Sequence, residues 1–163
     1  MAEQKAGLFQ AEFILDSAEA EKFLKDLSGR VDAITSHDKK VVGLLSSIVY
    51  RDIIDHFSQE SGADGPWKPW SDRYAAFMSS IGKSGNKILQ DSGRLRQAFQ
   101  PSNVRSTSDG LLWFNPAKTS NGFPYAAAHD EGGGRLPQRQ FMWLSKGALS
   151  EIEEQIVKFL EDR

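Results

Sequence analysis

Apolar and polar positions change their period several times along the chain, and each change predicts an element. Residues 8–16 alternate, with Phe9, Ala11, Phe13 and Leu15 on one side and Gln10, Glu12 and Asp16 on the other. A period of two is that of a strand with one buried face. Asp16 followed by Glu19 reads as a capping box. Ala20, Phe23, Leu24, Leu27, Val31 and Ile34 then recur at helical spacing, with Gly29 as a point of interruption. A second helix is predicted over 38–59, capped by Asp38. Its apolar positions (Val41, Val42, Leu44, Leu45, Ile48, Val49, Ile53, Ile54 and Phe57) form a stripe wide enough to need cover on more than one side.

Glycine and proline then break the pattern. Gly62, Gly65, Pro66 and Pro69 make 60–71 a flexible loop that carries Trp67 and Trp70. Ser71 is placed to cap a short helix with Tyr74, Ala75, Phe77 and Met78, and Asp91 or Ser92 to cap another through Leu95 and Phe99. Residues 104–107 and 111–114 flank Ser108-Asp109-Gly110, and an Asp-Gly pair between two such runs predicts a hairpin. Residues 115–124 and 132–138 read as further flexible loops. Between them, 125–130 suits one or two helical turns stopped by Gly132, Gly133 and Gly134. Residues 141–144 suit a short strand, and Ser145 a cap for a last helix with Ala148, Leu149, Ile152, Ile156, Phe159 and Leu160 on one stripe. The order predicts an α+β fold, a small antiparallel sheet packed by several helices, in a single domain over 1–163.

Composition narrows the function more than the fold. The 163 residues suit one domain, and 39% hydrophobic with 26% charged residues is ordinary for a soluble chain with a core. A net charge of -2 argues against a sequence-specific nucleic-acid partner, which usually meets a basic excess. The absence of cysteine removes disulfides, thiolate nucleophiles and cysteine-ligated zinc. The first residues lack the basic start and apolar run of a signal peptide, and no apolar stretch approaches the ~20 residues that span a bilayer. The expectation is a soluble, cytoplasmic protein with no membrane partner.

No chemistry-bearing motif is complete. Gly82-Lys83-Ser84 invites a phosphate loop, but Phe77 stands where the first glycine is needed. His129-Asp130-Glu131 offers ligand types whose side chains diverge on a helix, with no second cluster to complete a metal site. His129 is expected to hydrogen-bond the neighbouring glycine loop, and His56 to lie on the polar edge of the long helix. No serine sits in a nucleophile elbow. The expectation is no catalytic, cofactor-binding or metal-binding residue. The alternative is a small hydrolase or nuclease built from scattered acids and His129.

Four short motifs stand in order: Gly65-Pro-Trp67-Lys-Pro-Trp70-Ser71; Lys87-Ile-Leu89 with Ser92-Gly93-Arg94-Leu95; Tyr125-Ala126 with His129, Gly132 and Gly133; and Leu136-Pro137-Gln138-Arg139-Gln140-Phe141. Together they resemble the phage virion morphogenesis family, which includes the tail-completion proteins of Mu-like and P2-like phages. Trp70 departs from the pattern, standing where a smaller residue is expected. The resemblance implies a non-enzymatic assembly protein of a phage or prophage, made in the host bacterial cytoplasm and carried in the tail or neck of the virion. It implies a homo-oligomeric ring whose partners are the tail tube or terminator and the head-neck proteins. Trp67, Trp70, Tyr125, His129, Arg135 and Arg139 are the interface candidates, chosen mostly as loop aromatics and arginines. Gly93, Gly132 and Gly133 are expected to permit backbone turns, and Pro137 to fix the approach to the last strand.

Overall fold

The computed structural model describes residues 39–107 and 110–161. The expected strand at 8–16, the helix over 20–34, the Asp38 cap and Ser108-Asp109 lie outside the described residues. Val41, Leu45, Ile48, Val49, Ile53 and Phe57 recur at steps of three and four, which a helix gathers onto one face. They are the buried face of α1 (Lys39–Gln59). Phe57 is fully enclosed, edge-on to Trp67 with ring centroids 5.6 Å apart and tilted against Phe141 at 5.1 Å. Tyr50 stacks on Phe99 at 6.1 Å. The covered stripe is narrower than expected, because Leu44 remains 45% exposed.

A helix end leaves carbonyls without partners inside the helix. Lys87-Ile-Leu-Gln90 crosses the end of α1 and supplies them. Lys87 Nζ donates to the Ser58 carbonyl at 2.8 Å, and Gln90 Nε2 to that of Phe57 at 2.7 Å. The Ile88 N–H donates to the Glu60 carboxylate. Residues 60–71 are not irregular throughout: β1 (Ser61–Gly62) and β2 (Gly65–Pro66) pair antiparallel, and the Trp67 N–H closes the ribbon on the Glu60 carbonyl at 2.7 Å.

Ser71 caps α2 (Asp72–Ser80) as predicted, its Oγ accepting from the Tyr74 N–H at 3.3 Å. For α3 (Arg94–Ala98) the capping residue is Gly93, in left-handed backbone at φ 73°, and not Asp91 or Ser92. Asp91 instead accepts from Lys83 Nζ at 2.6 Å and Asn86 Nδ2 at 3.1 Å. The predicted hairpin forms from β3 (Val104–Thr107) and β4 (Gly110–Trp113), with Val104 opposite Trp113. Trp113 Nε1 donates to Ser46 Oγ of α1 at 3.0 Å.

Two helices complete the described chain, α4 (Tyr125–Glu131) and α5 (Lys146–Glu161). Ser145 Oγ accepts from the Ala148 N–H at 3.2 Å, the predicted cap. The N–H and hydroxyl of Ser145 donate to the Asp52 carboxylate at 2.8 and 2.5 Å, and Arg51 pairs with Glu151, so α5 is pinned to α1 at its first turns. Residues 141–144 are not a strand. The Phe141 and Met142 N–H groups donate to Asp130 Oδ1 at 2.8 and 2.7 Å, which replaces the strand neighbour they would otherwise need. Burial pushes the Asp130 carboxyl pKa up, and these two bonds oppose the shift.

His56 is likewise not a polar edge. It is 3% exposed, stacked on Trp143 with centroids 4.2 Å apart, its Nδ1 2.9 Å from the Phe141 carbonyl. The architecture is α+β in a single domain, with two separate two-stranded antiparallel sheets among the described residues in place of one.

Candidate functional site

The site is built from loops held against α1. Helix α4 stops at Gly132, whose N–H bonds to the Ala128 carbonyl at 3.0 Å. Gly133 and Leu136 then exchange backbone hydrogen bonds of 3.0 and 2.9 Å, closing a tight turn with Gly134 and Arg135 at its tip. The returning segment is tied to α4 where the Arg139 N–H donates to the His129 carbonyl at 2.9 Å. Residues 132–138 are therefore a hydrogen-bonded turn. Pro137 leads into Gln138, whose backbone packs directly on Gly132, and not into a strand.

Arg139 is only 7% exposed. Its Nε donates to the Lys68 carbonyl at 3.0 Å and its Nη2 to that of Pro69 at 3.2 Å, so this one side chain fastens the tryptophan-proline loop to the glycine turn. Burial lowers its pKa, since among the described residues no carboxylate lies within ion-pair distance. The His129 pKa is lowered first by burial and then by the Arg139 charge. Its Nδ1 is buried without a hydrogen-bond partner. The bond expected between the His129 ring and the glycine loop is not made among the described residues; its carbonyl accepts instead from Arg139, beyond that loop.

Between these loops lies an open groove of about 1230 Å³. Trp70, Tyr125, His129, Arg135 and Arg139, taken from three separate stretches of sequence, all line it. Trp67 does not. It is 6% exposed in the core against Phe57, its Nε1 donating to the Gln140 carbonyl at 2.8 Å. Gly93 also lines the groove and sets the start of α3.

Lys68, Lys87, Arg94 and Lys118, none of them among the interface candidates, line the same groove. They come from four separate segments, so no local run of charge announced them. With Arg135 and Arg139 they set, among the described residues, six cations against one lining carboxylate, Asp91. Chemically the groove offers cationic hydrogen-bond donors and aromatic surface to an anion. Among the described residues no three His, Asp or Glu side chains gather as a metal set. Asp130 is turned inward to backbone amides. No described helix is long and apolar enough to cross a membrane.

A model of the phage virion morphogenesis family matches residues 16–161 of the chain. No curated protein and no solved structure matches it.

Proposed function

Since the chain belongs to the phage virion morphogenesis family, its role lies in phage particle assembly, and we propose that it is a tail-completion or neck component working as a subunit of a ring that enables tail-to-head joining. The reading involves no turnover: its mechanism is burial of interface side chains as the ring docks. The family match over nearly the whole chain carries it. The gathering of loop aromatics and cations around one open groove supports it, because such side chains in a partly preformed concavity are what a docking surface needs. The proposed partners are copies of this chain, the tail tube or terminator and the head-neck proteins. The proposed location is the host cytoplasm during assembly and then the virion.

The test is the mass of the purified protein by light scattering across a concentration series, with negative-stain images, alone and with tail extract. A closed ring in either condition is the expected result. A strict monomer in both would overturn the ring reading.

A further inference from the structure

The charge of the groove is out of keeping with the chain. A protein of net charge -2 places six cations around one concavity. The single carboxylate there among the described residues, Asp91, is already engaged by Lys83 and Asn86. Lys68, Arg94, Lys118 and Arg135 are exposed, and none makes a side-chain hydrogen bond or ion pair with the described residues. Like charges facing one space give it a positive potential that attracts an anion. Arg139 adds an independent observation. It is a guanidinium buried to 7% exposure at the groove wall, satisfied by two carbonyls but lacking a counter-ion among the described residues. A buried charge without an opposite charge is costly, and an arriving carboxylate relieves it.

The groove continues onto an apolar face. Trp70 meets Tyr74 edge-on at 5.5 Å and 87°, and Tyr74 lies 6.2 Å from Phe77. Tyr74, Phe77 and Ile81 are 43, 55 and 48% exposed, while Met78 alone carries the buried side of α2. We infer that the groove and the outer face of α2 together receive an acidic segment of a different polypeptide, its carboxylates on the free cations and its apolar side chains on Tyr74, Phe77 and Ile81.

Two other occupants fit less well. A nucleic acid meets an overall negative protein, and Trp70 and Tyr74 are packed edge to face with Phe77 tilted at 38° to Tyr74, not set as parallel stacking platforms. On α5 a second copy offers four carboxylates, of which two are already paired, Glu151 with Arg51 and Glu154 with Lys158, leaving Glu153 and Glu161 against six cations. The inference rests on the assembly reading only for which particle supplies the segment.

The test uses the full chain and a fluorescein-labelled peptide of alternating glutamate and leucine, followed by anisotropy at low salt. Saturable binding is expected. It should weaken roughly tenfold or more when glutamine replaces glutamate in the peptide, or when Arg94→Glu and Lys118→Glu are combined in the protein. Phe77→Ser should weaken it separately, with circular dichroism confirming that each variant folds. Absence of saturable binding, or indifference to the charge reversal, would overturn the inference. So would tighter binding of oligothymidylate of equal length, which would assign the groove to nucleic acid. A charge-reversed protein that changes its mass in solution but not its peptide affinity would assign the groove to a second copy. Peptide binding by a protein that never forms a ring would leave the groove assignment standing and remove the ring reading alone.

Discussion

His129 is half-buried beside the Arg139 guanidinium, and both its surroundings and its neighbour disfavour a second positive charge. Its pKa in the folded protein therefore lies below the ordinary histidine value, and the unfolded chain binds the proton more readily than the folded one. The sign of the linkage follows. Stability from this group is fully present above the ordinary value of about 6.5, and is lost as pH falls through that value towards the lower folded one. The expected outcome is a denaturation midpoint that drops on acidification from neutral pH, and drops less steeply in His129→Gln, which cannot take up the proton. Urea titrations of both proteins across that window check this. Parallel curves would show that the histidine titrates as it does in the unfolded chain.

At the scale of the element, the turn after α4 depends on backbone geometry more than on side chains. Gly132 adopts φ 70° and ψ -169°, a region essentially closed to other residues. A Cβ there would stand 2.7 Å from the Gln138 nitrogen and 2.8 Å from its Cα. Neither can retreat without opening the turn, so Gly132→Ala should cost about 3 kcal/mol. Gly134, at φ 58° with nothing within 4 Å of an added Cβ, should cost only about 1 kcal/mol as alanine. Chemical denaturation of the two variants measures the difference, and equal costs would refute the close contact.

The same elements show what was readable in the sequence. Helix α1, the caps Ser71 and Ser145 and the β3–β4 hairpin depend on local pattern, and the pattern announces them. The helix stop at Gly132 was equally legible. The failed strand at 141–144 and the misread His56 depend on partners far along the chain. Asp130 supplies the acceptors for Phe141 and Met142, and Trp143 covers the imidazole. Five of the six interface candidates, most of them chosen by residue type, line the groove. Its lysines came together only through folding.

For the molecule as a whole, α1 is the shared wall of one core, so a fault there should spread while a fault in the groove should not. Phe57 is fully buried and touches the rings of both Trp67 and Phe141. Phe57→Ala removes a large core side chain, expected to cost about 3–5 kcal/mol of a total that is about 5–15 kcal/mol for most domains. Because Trp67 and Trp113 share that core, their near-ultraviolet signals should disappear together at a lower denaturant concentration. Arg94→Glu with Lys118→Glu changes only exposed side chains that contribute no internal hydrogen bond or ion pair among the described residues. Its stability should stay within about 0.5 kcal/mol of the parent, while joining of tails to heads in an extract should fail. Were the charge-reversed protein to melt as early as Phe57→Ala, the groove cations would belong to the fold. Were it to melt normally and still join tails, the cations would belong to neither the fold nor the joining step. Loss of joining at unchanged stability separates the surface that assembles from the core that folds.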